Sequence, residues 1–173
     1  TTDPGGTTAL NGGAVTTSGN QTYNDAVTMN QFTTVTSTGG AITFAEQATN
    51  TLAGAGLTVE APTLSLTSGK TVATTGSGPI TFLTNSLNPN GANIDARTGA
   101  FTLSPTTLTN TIEFGDVNTA RATTVYYGSL FGNLTAGSFT IGRPTHSGNI
   151  FVTGVAAAPS SIQIVNGGAG AVT

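Results

Sequence analysis

The stretch Ser18–Asn30, SGNQTYNDAVTMN, packs two extended runs and two turns into thirteen residues. Ser18-Gly19-Asn20 are turn formers, Gln21–Tyr23 form a short β-prone run, Asn24-Asp25 are turn formers again, and Ala26–Met29 form a second run. The stretch also reads as a site, because it holds an Asn20-Gln21-Thr22 glycosylation pattern, a tyrosine and an aspartate. The strand-and-corner reading makes the sharper claim. Val27 should point inward, and Asn24 and Asp25 should lie at a bend.

The rest of the chain repeats this syntax. Separators rich in Gly, Ser and Asn (TSTGG, LTSGK, TTGSGP, RPTHSGN, VNGGAG) stand between short runs at 14–17, 26–29, 33–37, 41–45, 57–60, 63–67, 71–74, 79–83, 101–104, 111–114, 123–127, 138–141, 149–153 and 161–165. Composition points the same way. There are 37 Thr and 24 Gly among 173 residues, and only 6% of residues are charged, against roughly 25% in ordinary globular proteins. Good helix formers are scarce, so the chain should be all-β. An apolar fraction of 36% separates it from disordered polar chains.

Alternation gives each run two unlike faces: Ile42 and Phe44 oppose Ala41, Thr43 and Ala45. TSTGGAITFA (36–45) resembles TTGSGPITFL (74–83), and SFTIGRPTHSGNIFVTG (138–154) follows the same strand, glycine turn, strand plan. The apolar residues Val35, Leu57, Ile80, Phe101 and Val125 recur at intervals of about 21 to 24, as do Ile141 and Ile162. That interval fits a parallel β-solenoid whose coils of about 20–24 residues hold three strands and three turns. About eight such coils, at ~4.8 Å each, predict a rod on the order of 40 Å long. A β-sandwich is the competing architecture. The whole of 1–173 is expected to form one domain, interrupted at 85–99 (NSLNPNGANIDARTG) by a long loop. The Gly- and Thr-rich ends, 1–6 and 167–173, read as flexible tails of a processed product or a fragment.

LNGGAVTTSGNQTYNDAV, TTVTSTGGAITF and LTVEAPTLSL, all within 7–72, resemble the repetitive shafts of filamentous-haemagglutinin-like bacterial surface proteins, and GSFTIGRPTHSGNIFVTG resembles a further repeat. The resemblance implies a right-handed parallel β-helix, export to the cell surface or the medium, and a structural, often adhesive, role. The expectation is therefore a non-enzymatic extracellular module that forms part of a fibre or matrix by end-to-end or lateral packing, with a glycan or cell-surface receptor as partner. A carbohydrate-binding or carbohydrate-cleaving β-helix is the alternative.

Chemistry-bearing residues are few. The net charge is −3 and Lys70, Arg97, Arg121 and Arg143 are the cations, so no basic stripe exists for a phosphate backbone and no nucleic-acid partner is expected. No apolar run reaches the ~20 residues of a membrane helix. Without cysteine there is neither a disulfide framework nor a thiol nucleophile. The densest candidate surface is Glu113, Asp116 and Arg121 with Tyr126 and Tyr127, where acids and rings could meet a sugar or a protein. A turn acid or rim ion pair is the plainer reading of Glu113 and Asp116. No cofactor is expected; Glu113, Asp116 and Asn118 are oxygen ligands of the right kind for calcium, but without a calcium-loop pattern around them. His146 is the only histidine and reads as a turn residue. The Thr-x-Thr pairs, such as Thr34/Thr36 and Thr107/Thr109, suggest an ice-ordering face but keep no single interval.

Overall fold

The computed structural model describes residues 1–115, 125–127, 131–153 and 161–173. In chain order its strands are β1 (Thr7–Ala9), β2 (Ala14–Thr17), β3 (Gln21–Tyr23), β4 (Ala26–Met29), β5 (Thr33–Ser37), β6 (Ala41–Phe44), β7 (Ala48–Asn50), β8 (Leu57–Leu66) and β9 (Thr71–Ala73). They continue with β10 (Ile80–Asn88), β11 (Asn93–Asp95), β12 (Ala100–Ser104), β13 (Ile112–Gly115), β14 (Val125–Tyr127), β15 (Leu134–Thr135), β16 (Ser138–Arg143), β17 (Ile150–Thr153) and β18 (Ile162–Asn166). One 3₁₀ turn, Phe131–Asn133, precedes β15.

Every strand pair among the described residues is parallel. That fits a solenoid and not the sandwich, whose neighbouring strands would run antiparallel. The chain winds through about six turns, and their described strands lie on three faces. The first face stacks β2, β5, the first half of β8, the first half of β10, β12, β16 and β18. The second carries β3, β6 and the later halves of β8 and β10, then β13, β14 and β17. The third is the sheet β1-β4-β7-β9-β11-β15.

β8 shows how local sequence turns a corner without breaking the strand. Burial alternates from Leu57 to Ala61, slips at Pro62-Thr63 where both residues are half-buried, and resumes at Leu64. Proline, which lacks an N–H, sits where the ladder must bend. Other corners are tied by asparagine. Asn20 Oδ1 accepts from the Ala41 N–H (2.8 Å), Asn85 Oδ1 from Thr107 N–H (3.1 Å) and Asn149 Oδ1 from Ala171 N–H (2.9 Å), each one coil further along the chain. Asn90 and Gly91 make a left-handed corner, with φ of 47° and 77°.

Inside, equivalent positions stack into columns. Leu57, Ile80, Phe101 and Phe139 are register partners on the first face, all fully buried. Phe101 lies 5.3 Å from Phe82 edge-on and 5.4 Å from Phe139 stacked, so aromatic contacts add to area burial. Coils approach closely where glycine permits: a Cβ on Gly99 would stand 2.4 Å from the Gly78 carbonyl oxygen.

Several expectations change. The turns number about six and not eight, because one coil is nearly doubled. Ile80 and its partner Phe101 are separated by one ordinary coil, but the next first-face partners, Phe101 and Phe139, stand almost twice as far apart in the chain. The extra length lies after Ser104. The stretch 85–99 is no long loop, since the end of β10 and all of β11 keep register there on either side of the Asn90-Gly91 corner. Val125 therefore lies beside Ile112 on the second face, not in the column of Phe101. TSTGGAITFA and TTGSGPITFL share corner grammar and not position, since Ala41 begins a second-face strand and Ile80 a first-face one.

The ends are held in the coil pattern. Thr2 N–H donates to the Thr22 carbonyl (3.0 Å). At the other end Val152 N–H donates to the Thr173 carbonyl and Thr173 N–H to the Ile150 carbonyl, both at 3.0 Å.

Candidate functional site

The opening stretch resolves as strand, bend, strand. Val27 is buried at 1% exposure, and Asp25 lies at the bend. Asp25 does more than turn the chain. Its carboxylate accepts from Thr2 Oγ1 (2.5 Å) and Thr8 Oγ1 (2.9 Å), while Asn24 N–H donates to Thr2 Oγ1 (3.0 Å). The Thr2 hydroxyl, against the counter-pull of burial and with help from Thr8, holds the carboxyl below its usual range. Tyr23 is buried, stacks on Phe44 at 5.2 Å and donates its hydroxyl to Gln21 Oε1. This corner anchors the first coil.

Of the predicted surface, Glu113, Tyr126 and Tyr127 come together in the backbone. Glu113 is the register partner of both Tyr126 and Phe151, and Phe114 that of Tyr127. Glu113 is buried, at 1% exposure, between the core residues Ile112 and Phe114. Asp116, Asn118 and Arg121 lie outside the described residues, as do the side chains of Tyr126 and Tyr127.

A second place emerges from the doubled coil. β15 returns to the third face beside β11, pairing Ile94 with Leu134 and Asp95 with Thr135, far apart in the chain. A polar groove of about 280 Å³ opens there, lined among others by Thr71, Asn93, Asp95, Asn133 and Thr135. Asp95 Oδ2 pairs with Arg97 Nε at 3.1 Å, and Asp95 Oδ1 accepts the Arg97 N–H at 3.0 Å. The groove thus offers amides, hydroxyls and an internally neutralised carboxylate. No spacing in the sequence announces it, because it exists only once residues 95 and 135 are adjacent.

A third feature is an outward file of hydroxyls. Thr34, Thr58, Thr81, Thr102 and Thr140 are successive register partners on the first face, each half-buried. The neighbouring file begins Thr16, Thr36 and continues with Glu60 and Leu83, so the Thr-x-Thr pairing is not repeated.

The ion pair Lys70 Nζ–Glu46 Oε2 (2.6 Å) sits on the surface. Among the described residues no group of three or more His, Cys, Asp or Glu is placed to hold a metal ion, and no helix is long and apolar enough to cross a membrane. His146 is fully buried in the corner between β16 and β17. No protein-family profile, curated protein or solved structure matches the chain.

Proposed function

We propose that the chain is a non-enzymatic extracellular module, a structural or adhesive β-solenoid that assembles into, or forms part of, a surface fibre or matrix. The observation that carries this reading is the parallel ladder. It runs in register from coil to coil along the first face, and among the described residues its outermost strands, β2 and β18, each pair on one side only. Both edges run in the same direction, so a further coil, of the same polypeptide or of a second copy, can add to either by the same hydrogen bonding. Addition of that kind is head-to-tail and does not close, which makes fibres. The resemblance of 7–72 to filamentous-haemagglutinin-like shafts supports the same role, with secretion or surface display. A glycan or a cell-surface receptor is the partner class for the adhesive form.

Electron microscopy with light scattering over a concentration series tests the self-assembling form. End-to-end association predicts rods that lengthen with concentration and keep a ~4.8 Å axial repeat. A compact monomer at every concentration contradicts it.

The groove at Asn93, Asp95 and Asn133 favours a second reading, carbohydrate binding, because convergent amides and hydroxyls without net charge suit a neutral polyhydroxyl ring. Glycan-array binding that disappears in Asn93→Ala and Asn133→Ala supports it. Binding that survives both substitutions, or no binding to any glycan, counts against it.

A further inference from the structure

The corner that carries His146 is built unlike the others. Its imidazole is fully buried, and neither ring nitrogen has a hydrogen-bond partner of good geometry. The backbone around it is tied to the coils on both sides. Ser147 N–H and Gly148 N–H donate to the Leu108 carbonyl (2.8 and 3.2 Å), and Gly167 N–H and Gly168 N–H donate to the His146 carbonyl (3.1 and 3.0 Å). His146 is thus the middle layer of three stacked corners, 105–110, 143–148 and 166–168.

Among the described residues the charges facing this ring are of one sign. On its own segment stands Arg143, whose Nη2 donates to the carbonyls of Pro105 (3.1 Å) and Thr106 (3.2 Å) and whose Nε is buried without a partner. Corner 105–110 contributes Pro, Thr, Leu and Asn, and corner 166–168 contributes Asn and Gly, so neither brings a titratable group. Among the described residues Arg143 forms no ion pair, and it is the charged group that bears on the imidazole.

We propose that this corner is a pH-sensitive clasp on the last coils: neutral His146 packs shut between its neighbours, and protonation places a second positive charge beside Arg143, without a carboxylate among the described residues to offset it, and loosens the corner. Burial first, and Arg143 second, hold the imidazole below its ordinary value of 6.5, against a weaker upward pull from the Gly148 backbone. The sign follows. The unfolded histidine takes up its proton near pH ~6.5 and the folded one only at lower pH, so the clasp is fully stable above that value and weakens as pH falls below it. Ordinary carboxylates stay ionised down to about pH 5, which leaves a window in which the histidine acts alone.

The whole chain carries one histidine, so a single ring resonance reports its titration by NMR, and amide exchange reports the clasp. The ring is expected to titrate below 6.5. Exchange at Ser147, Gly148, Gly167 and Gly168, corrected for intrinsic chemistry, is expected to rise by up to about thirty-fold between pH 7.5 and pH 5, while Val27 and Leu57 hold steady. In His146→Leu and His146→Gln the pH dependence should vanish, and in Arg143→Met it should shrink. A ring that titrates at or above 6.5, corrected exchange that does not change with pH, or a pH effect that persists in either histidine variant overturns the proposal.

Discussion

The first and third faces of the solenoid wind through the same coils under the same register, yet they are built to different strengths. The first-face strands β8, β10, β12 and β16 each bury a pair of large inward side chains there, Leu57 and Val59, Ile80 and Phe82, Phe101 and Leu103, and Phe139 and Ile141, each at 1% exposure or less. A third-face strand has two to four residues; β4 buries two large apolar ones, Val27 and Met29, but β9 and β11 bury one each, Val72 and Ile94. Where bulk is lacking, polar groups fill in. Asn50, fully buried in β7, donates to the carbonyls of Gln31 (2.7 Å) and Gly56 (3.1 Å) and accepts from Leu52 N–H (3.2 Å). The first face is held mainly by apolar columns and the third mainly by hydrogen-bonded corners.

The largest test of that contrast is truncation in the aromatic column. Phe101→Ala removes a ring packed on Phe82 and Phe139 and should cost about 3–5 kcal/mol by denaturant titration. Val72→Ala on the third face should cost about 1–2 kcal/mol from the lost area alone, and equal losses would erase the distinction. Next comes Asn50→Ala, which leaves backbone groups unpaired and should cost about 1–3 kcal/mol. A neutral result would show that the third-face corner does not depend on it.

Smaller and local is the effect of acid on Asp25. Its pKa is lowered in the folded state, so the anchoring of Thr2 is present above the unfolded carboxyl's range near ~3.9 and is lost as pH falls through the lower folded value. Faster corrected exchange of the Thr2 and Asn24 amides in acid, reproduced at neutral pH by Asp25→Asn, is the expected result. Smallest of all is Lys70→Ala. Its pair with Glu46 is exposed, with side-chain exposures of 39% and 40%, so a loss of less than about 1 kcal/mol that disappears in high salt is expected.

The same contrast explains what could be read from the sequence. First-face strands and most second-face ones declare themselves because two alternating apolar residues make a period of two visible, as in Ala41–Phe44 or Ala100–Ser104, though the second-face end of β10 does not. The strands that the pattern does not reveal, β1, β7, β11 and β15, all belong to the third face. Ala48-Thr49-Asn50 carries no alternation to detect, and tertiary register alone makes it a strand. The coil interval is legible from Leu57 through Ile80 to Phe101 and fails at Val125, because local periodicity does not encode the skipped length between Ser104 and Ser138. The groove at Asp95 and Thr135 depends on that skip and is not visible in spacing, whereas Glu113 and Tyr126 stand near enough in the chain to be grouped from the sequence, though not in their register. His146 is legible as a corner residue, but its burial is not, since it depends on corners 105–110 and 166–168, which only the coiling brings above and below it.

Everything in this contrast rests on the parallel register, and in particular on its being kept across the doubled coil. The chain has no cysteine, so introduced pairs report proximity without background. Thr102→Cys with Thr140→Cys occupies adjacent partner positions in β12 and β16, within reach of a disulfide, whereas Thr102→Cys with Val125→Cys places the two on different faces. A register kept across the doubled coil gives efficient oxidative cross-linking of the first pair and none of the second. Cross-linking of 102 to 125 without 102 to 140, as an uninterrupted series of ordinary coils would give, contradicts it.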